Sequence, residues 1–84
     1  MHDLHEANKI IKVILEQAQK NNLHKITKLK LTLGDLMEHG ELIKPANLKF
    51  NLRLLAKNTL AEGLTIDIKS ITGHTWTVVS IEGK

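Results

Sequence analysis

The chain opens Met1-His2-Asp3, and no other stretch combines residue types and spacing so suited to chemistry. With a free α-amino group, the Met1 amine, the His2 backbone amide and the His2 imidazole occupy adjacent chelate positions. They offer three nitrogen donors in one plane. Ni(II) and Cu(II) favour square-planar nitrogen ligation, so the set suits them better than zinc or magnesium. The fourth corner stays open, as a carrier requires, because a receiver can bind there before the donor lets go. A histidine near a terminus is, taken alone, more often an ordinary residue at a frayed end, so the remainder of the chain has to decide.

The tripeptide needs elements to position it. Ala7, Ile10, Ile11, Ile14, Leu15 and Ala18 recur with the 3.6-residue period of one helix face, which predicts a helix over 5–21 with Asp3 as a plausible N-cap and Asn21-Asn22 as the stop. Leu29, Leu31 and Leu33 then alternate with Lys28, Lys30 and Thr32, predicting a half-buried strand within 25–34, with Ile26 left to the lead-in turn. Residues 35–44 read as a loop. Pro45 fits the first position of a second helix, whose buried stripe is expected to be Leu48, Leu52, Leu55 and Ala56, widened by Phe50 and Leu54. Lys49, Arg53 and Lys57 form a basic ridge opposite. Such a ridge is more often a solvated helix face, and its alternative is docking to an acidic partner. Asn58 is suited to a left-handed helix end. Segments 64–71 and 75–82 alternate apolar and polar residues and are expected to form an antiparallel hairpin, with Val79 and Ile81 facing the helices. The expected architecture is α+β: two helices packed on one face of a small three-stranded mixed sheet, with two open edges.

Composition narrows the function classes. The 84 residues, 42% hydrophobic and 25% charged, suit one globular domain over 1–84. Cysteine is absent, which excludes disulfides, thiolate zinc sites and thiol nucleophiles in this chain. A net charge of +3 permits acidic partners without choosing one. Two aromatic residues, Phe50 and Trp76, are too few for base stacking, and Arg53 is the only arginine, so nucleic acid is not an expected partner. No apolar run approaches the ~20 residues of a membrane span. Nor do residues 1–15 have the layout of a signal peptide, and the cytoplasm is the expected location. No nucleophile–base set or phosphate-cradling glycine loop is apparent, so an enzyme is not expected.

The order of motifs carries more than any of them singly. Met1-His2-Asp3, Leu31-Thr32-Leu33-Gly34-Asp35-Leu36, Pro45-Ala46-Asn47-Leu48-Lys49-Phe50, Thr59-Leu60-Ala61-Glu62-Gly63 and Ser80-Ile81-Glu82 together resemble the HypA family. These are nickel metallochaperones that help mature [NiFe]-hydrogenase and, in some bacteria, urease. The resemblance implies nickel as cargo and a HypB-like GTPase and a hydrogenase large subunit as partners, with the chain a monomer or weak dimer. It departs from the family in three places. Asp3 stands where the family has glutamate, and Asn58 where it usually has glycine. Between the last two strands the family inserts a zinc lobe with two Cys-x-x-Cys pairs, where this chain has only a short turn near 71–75, so structural zinc is not expected. Met1 and His2 are then the expected metal residues, with Asp3, His5, His39 and His74 as candidates for the fourth position. Lys49, Arg53 and Lys57 are the expected partner surface, which would also serve a metal-independent adaptor.

Overall fold

The computed structural model describes residues 4–38 and 40–84. In chain order the elements are α1 (Leu4–Lys20), β1 (Ile26–Leu33), β2 (Met37–Glu38), β3 (Glu41–Leu42), α2 (Pro45–Ala56), β4 (Thr65–Ser70) and β5 (Trp76–Gly83). The expected α+β class is what forms: α1 packs against α2 and β5, α2 against β4, and the three long strands make one mixed sheet. Asp3, the expected cap of α1, lies outside the described residues.

Strand order departs from the expected hairpin. β4 and β5 do not pair with each other; the order is β4-β1-β5, with β1 parallel to β4 and antiparallel to β5. The physical reason lies in β1 itself. Leu29, Leu31 and Leu33 are at most 3% exposed, and the centre of a sheet is where a strand has neighbours on both edges and its apolar face covered. Each such leucine contributes about 1.5–3 kcal/mol on burial. The chain between β4 and β5 therefore crosses over the end of β1 instead of turning back on itself.

Two irregularities explain the remaining strand differences. The β1–β5 register slips between Ile26 and Lys28, so Thr27 is an extra residue on β1. A bulge of this kind changes which residues share a face, and Ile26 joins the core at 0% exposure as the first residue of β1 instead of sitting in a turn. The second slip makes Val79 the extra residue on β5. Trp76, Val78 and Ile81 pack against the core, while Val79 is 59% exposed, contrary to the expectation that it faces the helices. Within 35–44, expected to be a loop, the two short strands β2 and β3 pair Met37 with Leu42.

α1 buries the expected Ala7, Ile10, Ile11, Ile14 and Ala18. On α2 only part of the predicted stripe is covered. Leu48, Leu52 and Ala56 are fully buried and Leu55 half-buried, whereas Phe50 and Leu54 are exposed. Phe50 stands two residues from both Leu48 and Leu52, a rotation that points it away from them. Asn22 ends α1 in the left-handed conformation, with φ 57° and Leu23 N–H donating to Ala18 O at 2.9 Å. Asn58, expected to end α2 in the same way, instead has φ 64° as the third residue of a turn closed by Thr59 N–H to Ala56 O, because Lys57 has already left the helix at ψ 137°. Ile14→Val is accordingly expected to cost about 1 kcal/mol, whereas Phe50→Ala should stay within about 0.5 kcal/mol of the parent. Thermal unfolding followed by circular dichroism checks the pair, and a larger loss for Phe50→Ala would contradict the facing of α2.

Candidate metal-presenting end

The buried stripe of α1 holds the helix on the sheet, and one polar contact fixes its first turn. The Trp76 indole Nε1–H donates to Glu6 Oε1 at 2.9 Å, across 70 residues of sequence. A half-buried indole needs an acceptor, and the carboxylate also suits the positive end of the helix dipole. The second oxygen of Glu6 receives Lys9 Nζ at 3.4 Å, an exposed pair that adds little to stability. Trp76 opens β5 opposite Leu33, the last residue of β1. The beginning of α1 is thereby tied to the end of the sheet over which the crossover passes.

That crossover is held by backbone groups. The amides of Gly34 and Asp35 donate to Thr75 O and Gly73 O at 2.8 and 2.7 Å, and Ile71 N–H donates to Leu33 O at 2.9 Å. Gly34 is the point of closest approach. A Cβ there would stand 2.6 Å from the Gly73 carbonyl carbon, so only glycine lets the two backbones meet.

His5, next to Glu6, and His74, two residues before Trp76, are both exposed, and each lies within two positions of the Glu6–Trp76 contact. Sequence reasoning gave no role to Glu6 or Trp76. The only local signal was a lone tryptophan in a strand, whose N–H had to find a partner. Met1, His2, Asp3 and His39 lie outside the described residues. Among the described residues no group of three or more histidines and carboxylates could hold a metal ion, so His5 and His74 do not belong to a ready-made cage there. Of the basic ridge, Arg53 and Lys57 are exposed and Lys49 is half-buried, on the side of α2 that also leaves Phe50 and Leu54 in solvent.

Trp76 is the chain's only tryptophan, so its fluorescence reports the contact that fixes α1. Glu6→Ala is expected to change the emission maximum and to lower the unfolding free energy by about 1–2 kcal/mol. Unchanged emission would show that the indole is not held in this way.

Comparison with known proteins places these features in a family. A family model described as hydrogenase/urease nickel incorporation, metallochaperone, hypA, matches residues 1–77. The hydrogenase maturation factor HypA of Methanobrevibacter smithii is 34% identical over 71 residues, which cover 84% of this chain and 54% of that protein. The factor of the same name from Pyrococcus horikoshii is 36% identical over 66 residues, covering 79% of this chain and 45% of that protein. The chain thus spans about half the length of the curated relatives it matches. The solution structure of the Ni metallochaperone HypA from Helicobacter pylori shares the fold, with a TM-score of 0.79 over 99% of this chain and 97% of that one, at 14% identity. With a family model matched over residues 1–77 and a relative 34% identical over 84% of its length, the chain belongs to the HypA family.

Proposed function

We propose that this chain binds Ni(II) and hands it on during maturation of [NiFe]-hydrogenase, with urease as a second class of client. The nickel is cargo, held by the Met1 amine, the His2 amide and the His2 imidazole, and the step is a relay, not catalysis. Asp3, His5, His39 and His74 are the chain's own candidates for the fourth corner. The observation that supports this reading is that the Glu6–Trp76 bond holds the start of α1 against the start of β5, directly after the crossover that bears His74, in a chain whose family match covers the opening tripeptide.

The chain connects β4 to β5 through 71–75 alone and has no cysteine. We infer a single domain over 1–84 that works without the family's zinc lobe. No helix among the described residues is long and apolar enough to cross a membrane, and we place the relay in the cytoplasm. Nickel affinity is expected to fall as pH is lowered from about 7.5 to 6, because protons compete for the amine and the imidazole. Isothermal titration of the untagged chain with Ni(II) tests the proposal. A pH-independent affinity, or no binding, counts against it.

The partner surface in this reading is the α2 ridge of Lys49, Arg53 and Lys57, offered to a HypB-like GTPase or a hydrogenase large subunit. Exposed Phe50 and Leu54 beside these cations support it, since apolar anchors within a charged rim suit protein docking better than a purely solvated face does. They also favour a second reading, a metal-independent adaptor. A pull-down of the GTPase with and without EDTA separates the two: the adaptor binds equally in both, the nickel relay does not.

A further inference from the structure

We propose that the solvent face of α2 docks an acidic segment of a partner protein, one that sets apolar side chains over Phe50 and Leu54 and carboxylates over Lys49, Arg53 and Lys57. This rests on the α2 docking surface named above and states the chemistry of what it receives. The helix period arranges the face in rows. At about 100° per residue, Leu48, Leu52 and Ala56 share one stripe, and all three are fully buried. Phe50 and Leu54 stand on the far side of the helix from that stripe, one turn apart, 67% and 44% exposed. Lys49 and Arg53 run along one flank of this crest, and Lys57 follows where the helix ends. Asn47 and Asn51 run along the other flank. The crest is apolar, one side of it cationic and the other neutral.

The cations have no counter-charge of their own. Residues 45–57 contain no aspartate or glutamate, and the one ion pair among the described residues is Glu6 with Lys9, on α1. Helix stability by itself would place different residues here. A helix start favours a capping oxygen and carboxylates in its first turn, whereas α2 has Lys44 at the N-cap, with no side-chain hydrogen bond, and no acidic residue in the first turn. The positive charge along this helix is left for a group outside the chain. At the far end of the ridge, Arg53 and Lys57 open onto a groove of about 430 Å³ that Gly63 and Thr65 also line. Glu62 borders the same groove, with its Oε1 accepting from the Asn58 amide at 3.2 Å. A carboxylate side chain fits there, and the Arg53 guanidinium can hold it through two parallel hydrogen bonds.

The make-up of the face selects a protein segment over other anions. A nucleic acid requires aromatic stacking or several guanidinium forks, and this face has one aromatic ring, Phe50, and one guanidinium, Arg53. A membrane surface requires a longer apolar face than two side chains one turn apart. An aromatic anchor with a second apolar residue beside it, rimmed by charge, matches the make-up of a protein interface.

Selection from a displayed library of random peptides against the full chain tests the proposal. The enriched peptides are expected to share aspartate or glutamate beside a pair of apolar residues. In fluorescence anisotropy they should bind roughly tenfold or more weakly to Arg53→Glu and to Phe50→Ser, each with an unchanged circular dichroism spectrum, and more weakly to the parent as salt is raised. Lys30→Glu and Lys69→Glu make the same change of charge at exposed positions on the sheet and should leave binding as in the parent. A selection that yields no acidic consensus overturns the proposal, as does binding that Arg53→Glu leaves intact or that Lys30→Glu weakens equally. So does α2-dependent capture by phosphatidylserine vesicles in place of the peptides. Nickel titration of the same proteins keeps the two readings apart: Arg53→Glu is expected to bind Ni(II) as the parent does, and a parent that binds no nickel removes the relay without touching this surface.

Discussion

His2→Ala is expected to weaken Ni(II) binding by the untagged chain roughly a hundredfold or more. The imidazole is one of three donors in a fused chelate, and removing it leaves an amine and an amide that do not make a planar set. Displacing the α-amine by a short N-terminal extension should produce a loss of similar size, since it removes another donor of the same set. The two changes together identify the site. If nickel were held chiefly by His5 and His74, both would be nearly silent and His74→Ala would be the damaging substitution. Titration calorimetry of the parent, His2→Ala, His74→Ala and the extended chain distinguishes the arrangements, and full affinity in His2→Ala refutes the proposed clasp.

Gly34→Val is expected to cost about 3 kcal/mol and to lower the melting temperature by more than 10 °C, roughly 4–8 °C for each kcal/mol in a domain of this size. The cause is backbone against backbone. A Cβ at Gly34 would meet the Gly73 carbonyl carbon at 2.6 Å, its oxygen at 2.7 Å and His74 N at 2.9 Å. None of these atoms can rotate aside as a flexible side chain could, so either the crossover or the end of β1 must move. The hydrogen bonds from Gly34 to Thr75 and from Asp35 to Gly73 would be strained together. Because the same segment precedes Trp76, its fluorescence should change along with stability. A Gly34→Val protein with parental melting and emission would show that the crossover does not press on β1.

Periodicity in the sequence was enough to locate α1, β1 and the start of α2 at Pro45. Each announces itself within a window of about a dozen residues: the isoleucines and alanines of α1 at helical spacing, Leu29 to Leu33 at strand spacing, the proline at a first turn. Strand partnership was not legible, because it depends on which strand gains most from the middle position, and two alternating segments joined by a Gly-containing turn look locally like a hairpin. The bulges at Thr27 and Val79 were hidden for a related reason. An extra residue is defined only against a partner strand, so Ile26 seemed out of phase and Val79 in phase when the reverse held. Phe50 followed hydrophobicity into the predicted core, although its angular position on α2 carries it out. At the candidate site, the chemistry of Met1-His2-Asp3 could be read from residue types alone. The Glu6–Trp76 contact could not, since its partners stand 70 residues apart.

Family membership and fold support a nickel relay, which stands or falls with the planar nitrogen clasp. X-ray absorption at the nickel edge, on the untagged chain loaded with one equivalent of Ni(II), reads the ligand set itself. A four-coordinate, planar, nitrogen-rich site that is lost in His2→Ala is expected. A six-coordinate, oxygen-rich spectrum, or one unchanged by that substitution, would contradict it.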